Sequence, residues 1–147
     1  MGRPREFCIS VLLQQAGELF IKRGYAATSI DEIVKVSGAA RGSLYSIFGS
    51  KQGIFVAALK LAAGQSGEFT AVSDRATVNN CGSEQAASTV LLDLLNVAIF
   101  EIASHNREIS DLVQEIIDEY GITAQRLGQR ALDRVGLTEA QPWASKE

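Results

Sequence analysis

Arg41, Gly42, Ser43, Tyr45, Ser46 and Ile47 fall on one short stretch and combine a guanidinium, two hydroxyls, a phenol and an apolar branch. The mixture is built for contact rather than for breaking bonds. Elsewhere the sequence offers no catalytic pattern. The G-S-K-Q run of Gly49 to Gln52 lacks the first glycine of a P-loop, and there is no G-x-S-x-G elbow. Cys8 and Cys81 lie far apart without a C-x-x-C or Cys/His partner, and His105 is the single histidine, so no metal cluster or disulfide framework is expected. The sequence therefore argues against an enzyme, and no catalytic residue, metal or cofactor is expected.

The elements that present this stretch can be read from residues 28 to 51, TSIDEIVKVSGAARGSLYSIFGSK. Thr28 followed by Asp31 has the T-x-x-D form of a capping box, which starts a helix at Ser29. Ile30, Ile33 and Val34 give that helix an apolar face, and Asp31, Glu32 and Lys35 keep the other face wet. Gly38 supplies a reversal. A second helix is predicted from Arg41 to Phe48, pinned by Leu44 and Phe48, with the six contact residues on its remaining surface. At about 1.5 Å per residue such a helix is a rod of about 12 Å, short enough to enter a B-DNA major groove of about 12 Å width. Two helices joined through a glycine turn form the helix-turn-helix pattern, although the pattern alone leaves an ordinary αα-corner open.

The rest of the chain reads as all-α. Both prolines, Pro4 and Pro142, lie near the ends, and no alternating period-2 run separates them. A first helix is expected from about Arg5 to Arg23, with Ile9, Leu12, Leu13, Ala16, Leu19 and Phe20 on one stripe. A short basic arm precedes it at Gly2, Arg3 and Arg5. A fourth helix carries Ile54, Phe55, Ala58, Leu59 and Ala62 and runs on toward Phe69. Residues 73–84 read as a polar loop, residues 84–104 as a buried helix interrupted by Asp93 and Asn96, and residues 107–135 as one long amphipathic helix. His105 falls in the connection between the last two.

Charge is asymmetric. Residues 1–53 hold seven Lys/Arg against four acids, a balance of +3, whereas the remainder holds seven against thirteen, a balance of −6. The N-terminal part is drawn to phosphate and the remainder is repelled by it, which orients the molecule on a polyanion. There is no apolar h-region at the start, and the apolar run Val90–Ala103 falls short of the roughly 20 residues of a membrane span. A cytoplasmic protein without membrane contact is expected.

Residues 12–59 resemble the DNA-binding domain of the TetR/AcrR family of bacterial transcriptional regulators. The motifs are LF-x-x-x-GY (Leu19, Phe20, Gly24, Tyr25), T-S-I-D-E-I from Thr28, and G-x-x-x-G-x-L-Y-x-x-F-x-S-K from Gly38 to Lys51. The resemblance implies a three-helix DNA-binding domain over residues 1–50 and a helical effector-binding and dimerisation region over residues 51–147. It further implies a homodimeric repressor that is released from its double-stranded operator by a small molecule.

Carried over by resemblance, Thr28 contacts phosphate, Arg41 reads a base, Gly42 allows close approach, and Ser43 and Ser46 reach base edges or phosphates. Tyr45 and Lys51 hold the DNA backbone; Asn96, Phe100 and Tyr120 are placed to line an effector pocket, while the residues themselves read more simply as plain packing and satisfied core polar groups. Four departures stand out. Ala40 replaces a common capping serine, and Ile47 replaces a common histidine and offers a thymine methyl an apolar contact. Gly53 stands where an acidic residue would complete the cap begun by Ser50. After the 107–135 helix only GLTEAQPWASKE remains, where family members add another dimerisation helix. That last departure implies an alternative reading, a shortened relative that pairs with a full-length one without its own operator.

Overall fold

Leu12, Leu13, Ala16 and Phe20 recur on one helical face, and all four are buried. They lie on α1 (Ile9–Arg23), the platform on which the N-terminal helices are assembled. The computed structural model describes residues 8–64 and 84–137, and within these every element is helical. The basic arm at Arg3 and Arg5, Phe69 and the 73–83 loop lie outside the described residues. Lys22 and Arg23 complement the negative end of α1, and Gly24, at φ 87°, ends it.

The next helix, α2 (Ile30–Ser37), starts one residue later than the T-x-x-D pattern implies. Its cap is Ser29, whose hydroxyl accepts from the Glu32 amide at 3.3 Å while the Glu32 carboxylate accepts from the Ser29 amide at 2.9 Å. Thr28 is displaced from that role because it is buried against the end of α1. Its hydroxyl donates to the carbonyls of Gly24 at 2.8 Å and Leu19 at 3.3 Å. Burying a hydroxyl requires such partners, so Thr28 fixes the loop instead of facing out.

Gly38 takes the left-handed conformation that turns the chain into α3 (Arg41–Phe48). Leu44 and Phe48 are buried as the spacing requires, and Ala40 caps α3 without a side-chain hydrogen bond. Ser50 then caps α4 (Lys51–Ala62) by accepting from the Gly53 amide at 3.1 Å. A Cβ at Gly53 would lie 1.9 Å from the Phe48 carbonyl oxygen. Gly53 is therefore a close-approach position, and the tight α3–α4 corner, not a lost acidic cap, explains the residue. Phe20, Tyr25 and Phe55 close the domain as an aromatic cluster with ring centroids 5.1–5.7 Å apart.

The C-terminal region packs on α1 and α4 through α5 (Glu84–Val97), with Gly17 of α1 facing Ala58 and Leu94. Residues 91–98 are buried on every side, polar exceptions included. Asp93 accepts from two guanidinium nitrogens of Arg130, at 2.9 and 2.7 Å, and the Asn96 amide donates to the Leu127 carbonyl at 3.2 Å. The hydrogen bond that Arg130 donates to Asp93 pushes the Arg130 pKa up against the opposing effect of burial. Beyond Val97 the helix does not stay α. Ala98–Ala103 form a π turn, with Ile102 buried beneath it.

The single long helix expected over 107–135 is two helices, α6 (Arg107–Tyr120) and α7 (Ala124–Arg134). Gly121 ends the first at φ 58°, Ile122 is buried, and the Thr123 hydroxyl caps the second by accepting from the Arg126 amide at 3.2 Å. Gly121 is thus a helix stop. No helix among the described residues is long and apolar enough to cross a membrane.

Candidate nucleic-acid interface

Burial of Leu44 and Phe48 fixes which way α3 faces. Arg41, Gly42, Tyr45, Ser46 and Ile47 are exposed, and Ser43 is half-buried at the edge of the same surface. Tyr45 and Ile47 leave 43% and 39% of their surface open, large fractions for side chains that gain by burial. Val36, near the end of α2, is also 43% exposed.

Arg41 donates to the Asp31 carboxylate at 2.8 Å, and its guanidinium lies 5.9 Å from the Tyr45 ring centroid. Tyr45 first and Asp31 second push the Arg41 pKa above its ordinary value, so the cation is permanent. Both members of the ion pair are more than half exposed. Exposed pairs of this kind are weakly held. The pair ties α3 to α2 across the Gly38 turn. A carboxylate ten residues before an arginine gives no local sequence signal.

Lys51, which the resemblance assigns to the DNA backbone, has partners within the protein. Its ammonium donates to the carbonyls of Tyr25 at 2.9 Å and Thr28 at 3.1 Å and sits 4.3 Å from the centroid of the Tyr25 ring. Two of its three donors therefore hold the 24–29 loop to α4. Thr28 is likewise turned inward, so its hydroxyl is directed at the protein backbone. Arg23 and Glu32 form an ion pair across the same loop. Hydrogen bonding from the Ser29 amide, above all, lowers the Glu32 pKa, with Arg23 adding to it.

The three residues assigned to an effector pocket do not converge. Asn96 is buried and occupied by Leu127, Phe100 is 75% exposed, and the Tyr120 hydroxyl donates to the Ala63 carbonyl at the end of α4. Phe100 lies in the π turn, past the 91–98 stretch that is buried all round.

Residues 12–58 match the family described as bacterial regulatory proteins, tetR family. Over 60 residues the chain is 40% identical to the uncharacterized HTH-type transcriptional regulator YezE of Bacillus subtilis, covering 41% of this chain and 31% of that protein. Over 58 residues it is 41% identical to the HTH-type transcriptional repressor ComR of Escherichia coli, covering 40% of this chain and 28% of ComR. A 50-residue stretch is 46% identical to the HTH-type transcriptional regulator QacR of Staphylococcus aureus, 34% of this chain and 27% of QacR. The chain thus matches less than a third of the length of each of these relatives. No solved structure matches it.

Proposed function

We propose, from the premise that residues 12–58 belong to the tetR family of bacterial regulatory proteins, that the chain is a sequence-specific DNA-binding transcriptional regulator. It acts as a homodimeric repressor released from its operator by a small molecule. The observation that carries this reading is the solvent face of α3. A helix pinned from below by Leu44 and Phe48 presents Arg41, Ser43, Tyr45, Ser46 and Ile47 outward, in the part of the chain that carries the net positive charge.

In this reading α3 enters the major groove. Arg41 leaves Asp31 for a guanine edge, Ile47 meets a thymine methyl, and Ser46 and Tyr45 bond the backbone. Two copies are needed, because half-sites one helical turn apart each take one recognition helix. Release follows when an effector binds the low-affinity conformer better and changes the separation of the two α3 helices. ComR and BdcR of Escherichia coli, matched over 28% and 27% of their lengths, are named as repressors, which supports the sign of the effect.

The test is a titration of labelled DNA from upstream of the gene, at two salt concentrations and with competitor, with the chains per site counted in the complex. Saturable binding by two chains that survives competitor supports the proposal. Binding that competitor abolishes at both salts contradicts it and favours the pairing of this chain with a full-length relative.

A further inference from the structure

The loop from Gly24 to Ser29 sets how α2, and with it α3, leaves α1. It is fixed from inside the N-terminal region by Thr28 on Gly24 and Leu19, and by Lys51 on Tyr25 and Thr28. A further bond comes from 75 residues away. The Glu101 carboxylate, carried on the π turn, accepts from the Ala26 amide at 2.9 Å. The fit around it is close: a Cβ at Gly24 would stand 2.5 Å from the other carboxylate oxygen. Gly24 also has a positive φ there, which strains any side chain, and one at this position would push the carboxylate off its amide.

The π turn explains how Glu101 reaches this loop. One extra residue in a helical turn rotates everything beyond it by about 100° relative to an uninterrupted α-helix. Within the turn Ile102 is buried and Phe100 exposed, while Glu101 faces the N-terminal region. Such π turns recur where a helix must aim a functional group off its regular register. The same C-terminal region also grips the end of α4, through Tyr120 on the Ala63 carbonyl. Any displacement of the π turn or α6 is therefore felt at both ends of the N-terminal region.

We propose that Glu101 is a positioning residue for DNA binding, a latch through which the C-terminal helices set the orientation of α2 and α3. The inference rests on the reading of α3 as a DNA-recognition helix. When the latch is closed, the Ala26 amide is satisfied and the loop is held in one arrangement. When the π turn moves, that amide loses its partner and the α1–α2 junction loosens. The latch thus gives an event among the C-terminal helices a direct route to the recognition helix, separate from the covalent path through α4.

The test compares full-length wild type, Glu101→Ala and Glu101→Gln by amide hydrogen exchange and by DNA affinity across a salt series. Glu101→Ala should speed exchange at Ala26 and through α2 about tenfold and weaken specific binding several-fold, with the salt slope unchanged because no phosphate contact is removed. Removing a negative charge near DNA raises affinity, so a fall has the opposite sign to a simple charge effect. Glu101→Gln keeps an acceptor oxygen and should stay within about twofold of wild type in both readouts. Unchanged exchange in Glu101→Ala, or faster exchange with unchanged affinity, overturns the proposal. Should wild type itself bind no DNA specifically, the regulator reading falls and the positioning role falls with it, while the exchange data still decide whether the carboxylate holds the loop.

Discussion

The N-terminal helices and the C-terminal helices are held together by different means. In α1 to α4 the core is a ring cluster of Phe20, Tyr25 and Phe55, framed by a capping box at Ser29 and Glu32, a left-handed Gly38 and a hydroxyl cap at Ser50. In α5 to α7 buried polar pairs join the helices, Asp93 with Arg130 and Asn96 with Leu127, and Tyr120 ties the region back to Ala63. Caps and ring packing fix which face of α3 is presented. The C-terminal arrangement relies on pairings between distant positions, and α7 docks on α5 with Leu127 buried and the Asp93–Arg130 pair beside it. The contrast is that of a region closed by ring packing, the proposed reading head, and a region joined by buried polar pairs.

Phe20→Ala strikes the first region hardest. The ring is fully buried and meets Phe55 edge-on at 5.1 Å, so a loss of about 3–5 kcal/mol is expected in urea unfolding, with DNA binding lost as the head melts. A loss under about 1 kcal/mol would show that the cluster is not the anchor of the head.

Asp93→Ala addresses the second region. It leaves Arg130 partly buried without its carboxylate, and because Arg130 keeps 29% of its side chain in water the expected cost, about 2–3 kcal/mol, lies at or below the low end for a buried pair. Faster amide exchange in α7 should accompany it. The double variant Asp93→Leu/Arg130→Met should recover most of the loss, and failure to recover would mean that the pair sets geometry as well as stability.

Ser29→Ala is the mildest. Loss of the cap should cost about 1 kcal/mol near neutral pH. The partner Glu32 has a folded pKa below its unfolded value, so its contribution is complete above the usual carboxylate range, near pH 4.3, and fades as pH falls through the folded value. The difference between wild type and Ser29→Ala, followed by thermal unfolding, should therefore shrink in acid. A gap that stays constant down to pH 3 would assign the cap to the serine hydroxyl alone.

Local chemistry also decided what the sequence disclosed. The bounds of α3 could be read directly, because Gly38 and the Leu44/Phe48 spacing leave one solution. The start of α2 was misplaced by one residue because TSIDE contains both T-x-x-D and S-x-x-E, and burial of Thr28, a tertiary fact, chooses between them. The break at Gly121 was hidden because Ile117, Tyr120, Ala124 and Leu127 keep helical spacing straight through it. Gly121 and Thr123, a stop followed by a cap, were the overlooked signal. The π turn has no compositional mark, so Phe100 was assigned to an interior that it does not face. Glu101 was visible as a charge within an apolar run, but its partner lay 75 residues away.

The most direct test of the reading head is the affinity of wild type and Arg41→Ala for upstream DNA and for a scrambled duplex, each across a salt series. Arg41 is exposed and its partner Asp31 is also in water, so the variant should keep its melting temperature. A base-reading role predicts a roughly 10- to 100-fold loss on upstream DNA, a much smaller loss on the scrambled duplex, and collapse of the preference between them. Equal losses on both duplexes with a shallower salt slope, or no loss on either, would contradict the assignment of Arg41 as the residue that reads sequence.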